Sequence, residues 1–292
     1  MDGLTYFPGC SLKETAKAFE TSAVAVMAAL DLPLVELERW NCCGTVFSLT
    51  TDDLMHHVAS VRNLIRAQEA EATELVTLCS MCFNTLKRIS RAVNADEEAL
   101  AKINAFMDEE PDYVGGVEVR HLLEILRDRI GWERISERVT RPLDGLIVAP
   151  YYGCTLVRPS EVGIDDAEMP TVMQEMLESV GATAQTFPFQ TECCGSYLRV
   201  DRRDLVVERG YRILNAARRT GADLVITACP LCQHNLEQTL GEFGKTLPEE
   251  ESIPVLYFTE LLAVALGVEA SPLPPPLMEK LTILEGAAEG GN

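Results

Sequence analysis

The sequence predicts an α/β protein made of two tandem copies of one βαβ-type domain, related by an approximate two-fold axis. Three observations predict it. Ten cysteines fall into two sets of five with the same order. The segments around them repeat, with an offset of 144 to 151 residues. Between them, short β-branched or apolar runs alternate with patterns of helical period.

In the first half the helical patterns lie near 14–30, 53–71 and 82–93, and an irregular, acidic insertion follows at about 94–116. In the second half, GLIVAPYY (145–152) reads as a buried strand that ends at Gly153 and Cys154. MPTVMQEMLESVG (169–181) is apolar at helical spacing and stops at Gly181. ATAQTFPF (182–189) leads extended chain into a Cys-Cys-Gly loop. RDLVVERGYRILNAARRTG (203–221) is an amphipathic helix closed by Gly221. ADLVITA (222–228) is a strand, and Pro230 stands where a first-turn proline opens the next helix. The expected domains are 1–144 and 145–269, with the Pro-rich and Gly-rich end, 270–292, as an extended tail.

Composition narrows the function. Twenty-five Lys and Arg stand against 45 Asp and Glu, a formal charge of −20. That sign argues against nucleic acid, whose phosphates need cationic partners, and against anionic membrane surfaces. No apolar run approaches the ~18 residues of a transmembrane helix. The first residues carry no basic and apolar leader, so a cytoplasmic protein is expected.

The cysteines carry the chemistry. The first set is Cys10, Cys42, Cys43, Cys79 and Cys82; the second is Cys154, Cys193, Cys194, Cys229 and Cys232. Each set is one distant cysteine, one CCG and one CxxC. YFPGCSLK matches YYGCTLVRP, NCCGTVFSLTTDD matches ECCGSYLRVDRRD, and LVTLCSMCFNTL matches LVITACPLCQHNL. A reducing compartment disfavours five disulfides. On the predicted elements, each cysteine falls at a strand end or a helix start, where open α/β sheets place their ligands. Helix N–H groups and the helix dipole there favour thiolate, the metal-binding form. A structural zinc site takes four ligands and suits paired hooks, and a lone CxxC also suits a dithiol couple. Five soft thiolates suit an iron–sulfur core, and spacing leaves its nuclearity open, a four-cysteine cubane with a spare thiol included. No GxGxxG follows a strand and no ferredoxin-type cysteine run is present, so neither FAD nor NAD nor an internal relay is expected in this chain.

PGCSLK (8–13), WNCCGT (40–45), YYGCTLVRP (151–159) and CPLCQ (229–233) together resemble the family of heterodisulfide reductase B-type subunits, with its tandem Rossmann-like CCG domains. The resemblance covers about residues 4–267. It implies a noncubane [4Fe-4S] cluster held by all five cysteines of each half. It also implies a disulfide, coenzyme M–coenzyme B or a related one, cleaved between the two clusters. Cys10 and Cys154, with His234, are then the candidate catalytic residues. The partners it implies are a ferredoxin-like subunit and a flavin-containing subunit of the same complex, docked on an apolar patch. The same domains occur in electron-transfer subunits of glycolate, lactate, glycerol-phosphate or succinate oxidoreductases, and a non-catalytic zinc scaffold is a further alternative.

His234 lies two residues after Cys232 and is a candidate proton donor, against the reading of a solvated helix face. Tyr151, Tyr152 and Arg158 flank Cys154 and read as packing or as cleft lining. His56 and His57 read as solvated, and Trp40 as a core anchor.

Overall fold

The computed structural model of the protein describes residues 3–45, 54–243, 253–270 and 272–289. It contains two four-stranded, all-parallel sheets.

In the first half the order is β1 (Leu4–Phe7), α1 (Gly9–Lys13), α2 (Lys17–Ala29), β2 (Leu34–Glu36) and α3 (Val58–Glu69). It continues with β3 (Glu74–Thr77), α4 (Ser80–Ala95), α5 (Glu97–Phe106), β4 (Glu118–His121), α6 (Leu122–Ile125) and α7 (Trp132–Glu137). The second half runs β5 (Ile147–Tyr151), α8 (Val172–Ser179), β6 (Thr183–Ala184), α9 (Arg203–Arg219), β7 (Leu224–Thr227), α10 (Pro230–Phe243), β8 (Val255–Tyr257) and α11 (Phe258–Ala265). The sheets are ordered β2-β1-β3-β4 and β6-β5-β7-β8, the same topology twice.

The central strands are buried on both faces, as a parallel sheet between helix layers requires. Leu75, Val76, Leu224, Val225 and Ile226 are fully buried, each burial stabilising the fold by roughly 1.5–3 kcal/mol. The helices α6 and α11 that follow the last strands are capped alike. The His121 N–H donates to Glu124 Oε2 at 2.8 Å and the Tyr257 N–H to Glu260 Oε2 at 2.9 Å. His121 is wholly buried, and its Nε2–H donates to the Leu78 carbonyl at 2.8 Å while Nδ1 accepts from the Leu123 N–H. That network makes the imidazole neutral.

The halves pack reciprocally. Phe19 of α2 stacks on Tyr257 at 4.2 Å, and Ser22 meets Thr259 of α11 at 2.6 Å. In return, Trp132 of α7 donates to Glu175 of α8 at 2.9 Å. Asn84 of α4 donates to the Thr155 and Arg158 carbonyls at 2.8 and 2.7 Å. Each half thus sets its first long helix against the other's last helix, as an approximate two-fold axis demands.

Three expectations are corrected. The tail is not all extended: Pro275–Glu289 forms a helix, α12, and Lys280 pairs with Asp223. The acidic insertion contains α5, begun where Asp96 accepts from the Ala99 N–H at 2.9 Å. Only Thr183–Ala184 of the extended segment 182–189 pairs as strand. Part of the first CCG motif, residues 46–53, lies outside the described residues.

Candidate metal centre

In a 2-1-3-4 parallel sheet the chain reverses direction of growth between β1 and β3, which opens a crevice at their carboxyl ends. Cys10 lies in α1, directly after β1, and Cys79 is the N-cap residue of α4, directly after β3. Cys82 follows in the first turn of α4, and Cys42 and Cys43 lie in the loop after β2. The second half repeats this, with Cys154 after β5, Cys193 and Cys194 after β6, Cys229 after β7 and Cys232 in the first turn of α10.

The ten thiols are free, and they form a file with the same order in both halves. Cys10 lies beside Cys42, which lies beside Cys43. Cys43 Sγ lies 3.4 Å from Cys82 Sγ, and Cys82 lies beside Cys79. In the second half the links are Cys154 to Cys193, Cys193 to Cys194, Cys194 to Cys232 and Cys232 to Cys229. The two files come together where Cys79 lies beside Cys229, next to the bonds from Ser80 to the Ala228 carbonyl. Equivalent residues of two copies touch each other at a two-fold axis. The sequence predicted two separate ligand sets and held no sign of this junction.

The junction is held from the first half. The Ser80 N–H and hydroxyl both donate to the Ala228 carbonyl, at 3.1 and 2.8 Å, and the His121 Nε2–H donates to the Leu78 carbonyl at 2.8 Å. His121 and Ser80 therefore fix the peptide groups just before Cys79 and Cys229. Neither residue carried a motif. The capping-box spacing His121–Glu124 was the available signal for the first.

Burial grades along the file. Cys10 and Cys42 are exposed and Cys154 and Cys193 partly so, whereas Cys43, Cys79, Cys82, Cys194, Cys229 and Cys232 are buried. Neighbouring thiols share protons unequally. Cys193 is held down at about 2 by hydrogen bonds from Cys154 and Cys194, then the Gly195 N–H and the Arg209 charge. Its neighbour Cys194 is pushed up to about 12, chiefly by the Cys193 thiolate. Cys10 and Cys154 are raised by their hydrogen bonds to Cys42 and Cys193 and then by burial. Sulfurs packed this closely cannot all ionise on their own; full ionisation requires a positive core among them.

The donor set fits a polynuclear iron–sulfur group. Ten free cysteines supply a soft sulfur donor set. Gly9 and Gly153 have positive φ, 72° and 64°, and a Cβ there would stand 3.0 Å from Cys82 Sγ and 3.2 Å from Cys232 Sγ. Both glycines keep the space beside a buried sulfur open. Among the described residues no three His, Cys, Asp or Glu side chains are grouped to hold a single metal ion.

His234 is exposed on α10, and burial followed by the Arg199 charge lowers its pKa. Tyr151 and Tyr152 are buried; the Tyr151 hydroxyl donates to the Glu192 carbonyl at 2.8 Å, and Tyr152 accepts from the Met173 N–H. Arg158 donates to the Thr191 carbonyl and pairs with Glu168, so it braces the loop before Cys193. Trp40 is half-buried, edge-on to Phe7. His56 and His57 are half-buried and close a short 3-10 turn before α3.

Fold and site define a class: tandem α/β proteins that gather a sulfur-only donor set at the carboxyl ends of two parallel sheets. The chain belongs to the CCG cysteine-rich domain family, whose pattern matches residues 4–87 and 148–237, and within it to the group of heterodisulfide reductase B-type subunits. It is 32% identical over 270 residues to the 8-methylmenaquinol:fumarate reductase membrane anchor subunit of Wolinella succinogenes, covering 92% of this chain and 93% of that one. It is 28% identical over 272 residues to the B-type subunit of the ferredoxin:CoB-CoM heterodisulfide reductase of Methanosarcina mazei, covering 91% and 90%. A Helicobacter pylori protein of solved structure shares the fold with a TM-score of 0.73 at 13% identity, covering 92% of this chain and 50% of that one. No helix among the described residues is long and apolar enough to cross a membrane.

Proposed function

We propose that the chain is the redox subunit of a heterodisulfide reductase-type complex, holding two noncubane [4Fe-4S] clusters and reducing a disulfide. Cys10, Cys42, Cys43, Cys79 and Cys82 would hold one cluster, and Cys154, Cys193, Cys194, Cys229 and Cys232 the other. The observation that carries the reading is the meeting of two matched thiol files at Cys79 and Cys229. Cleaving a disulfide to two thiols takes two electrons and two protons. Two centres in contact suit that stoichiometry, since neither has to strand a half-reduced sulfur. Bound clusters would supply the one-electron transfers. The chain's own part is positional: the Ser80 and His121 bonds fix the junction, and Gly9 and Gly153 leave room at the sulfurs. Cys10 and Cys154 are the accessible sulfurs of the two sheet-end positions, on the side a substrate would approach. The reading places the chain in the cytoplasm, served by a ferredoxin-like protein and a flavin-bearing one, with His234 donating a proton to a released thiolate.

A second reading, an electron-transfer component of a quinol- or succinate-type oxidoreductase, is favoured by the likeness to the Wolinella succinogenes protein. The test is steady-state reduction of a disulfide panel by the anaerobically purified chain under reduced viologen. The first reading expects turnover in the parent and its abolition in both Cys79→Ser and Cys229→Ser. About half the activity in either variant means that the centres act singly and the paired mechanism is wrong. Reducible iron without turnover of any disulfide favours the second reading.

A further inference from the structure

Helix α9 carries five arginines against Asp204 and Glu208, a net of +3 in a chain of −20. Arg209, Arg212 and Arg219 recur at steps of three and seven residues, so they share one face of α9 with Ala216, and all three arginines are exposed. Among the described residues, no carboxylate pairs with any of the three.

The equivalent helix of the first half is different. Counting back from the positive-φ residues that end each helix, Glu71 and Gly221, Arg62 corresponds to Arg212 and Glu69 to Arg219. Arg62 pairs with Glu110, and Arg66 pairs with both Glu69 and Glu110. The first helix neutralises its arginines internally, and the second keeps its charge outward.

The arginine face borders two adjoining hollows, of about 100 and about 390 Å³, that share Phe189 and Arg212. Arg212 lies over the Phe189 ring at 5.0 Å. Cys193 lines the smaller hollow, beside Glu192, the one carboxylate there, and Arg209 donates to the Cys193 carbonyl at 3.4 Å. A cationic stripe therefore leads to the partly exposed end of the second thiol file.

We propose that this face is the docking site for an acidic electron-carrier protein, which seats against Arg209, Arg212 and Arg219 with its redox group beside Cys193. The proposal rests on the redox reading above and deepens it by naming the half at which the carrier arrives. Charge complementarity selects an anionic surface, and the position of Cys193 selects a carrier of electrons over an anionic membrane, which has no need of a thiol in its contact face.

The test uses the full chain and a bacterial two-cluster ferredoxin as the acidic probe, with binding followed by interferometry at several salt concentrations. Arg212→Glu/Arg219→Glu should weaken binding by about tenfold or more at low salt, and binding by the parent should fall as salt rises. Lys102→Glu/Arg134→Glu, an equal double charge reversal on α5 and α7 of the first half, should change it little. Equal loss in both variants, or no loss in either, overturns the proposal. So does binding of the parent to phosphatidylglycerol vesicles, abolished by the arginine variant, with ferredoxin unbound. Iron and sulfide are assayed on the same protein: ferredoxin bound by a chain that holds no iron would sink the redox reading and leave the docking face standing.

Discussion

Replacing Gly153 by alanine tests whether the space beside a buried sulfur matters. The residue has φ of 64°, and holding alanine in that left-handed region costs about 1–2 kcal/mol. The new Cβ would meet Cys232 Sγ at 3.2 Å, where unstrained contacts lie near ~3.5–4.0 Å, so the sulfur must retreat by about half an ångström. Cys232 is buried beside both Cys194 and Cys229, so the displacement passes to the rest of its file. Gly221→Ala is the matched control: its φ is 82° and nothing lies within 4 Å of the added Cβ. Both variants should lower the melting temperature by about 2–8 °C through backbone strain. Only Gly153→Ala should also lower iron, from about eight towards about four per chain, because only it disturbs a sulfur. Gly9→Ala, against Cys82 Sγ at 3.0 Å, should do the same for the first half. Iron and acid-labile sulfide, measured on anaerobically purified protein beside thermal unfolding, decide it. Equal iron in Gly153→Ala and Gly221→Ala would refute the argument that these glycines make room for the cluster.

Cys43→Ser and Cys194→Ser should each bleach the visible and paramagnetic resonance spectrum of one half and leave the other's largely intact; an unchanged spectrum would mean a four-ligand cluster with a spare thiol. Burial, and then the nearby Lys87 charge, depress His121 to about 3, below its unfolded value near 6.5. The stability from its neutral form is therefore complete above pH 6.5 and lost as pH falls towards 3, about 2 kcal/mol by pH 5. Urea unfolding of the cluster-free chain at pH 7 and pH 5 should show that loss, and His121→Gln should flatten it; an equal loss in the variant would remove His121 as its source.

The duplication and the candidate ligands are legible because each motif is local: CCG and CxxC recur with their flanks, and Pro230 and Gly221 mark helix ends that the structure shares. The insertion that holds α5 has no counterpart among the described residues of the second half, so the repeat carries no signal for it, although Asp96 before Glu97-Glu98 is a plain helix start. The prolines at 272–276 suggested extended chain, but a proline can open a helix, and the apolar residues Leu277 and Leu281, one turn apart, are buried. The contact of Cys79 with Cys229 was hidden for another reason. It depends on how two sheets face each other across 150 residues of sequence, and no local pattern encodes that. The arginines of α9 were visible, but their meaning came from Glu110, which neutralises the opposite helix from within the insertion.

The residues at the junction carry a consequence for how such a chain arises. Cys79 touches its own counterpart, Cys229, a contact that two identical copies of a single half would also make as a homodimer. In a homodimer every change would appear on both sides of the axis at once. Ser80 here donates twice to the Ala228 carbonyl, while its counterpart is Pro230, which has neither N–H nor hydroxyl to return the bonds. Joining both copies in one polypeptide is what permits this: one side keeps the clasp, and the other takes a rigid helix start. The same freedom lets one helix keep its arginines covered while its twin exposes them. Fusion thus turns a contact that symmetry would force to be reciprocal into one with a giver and a receiver, and gives the molecule two faces that a partner can tell apart.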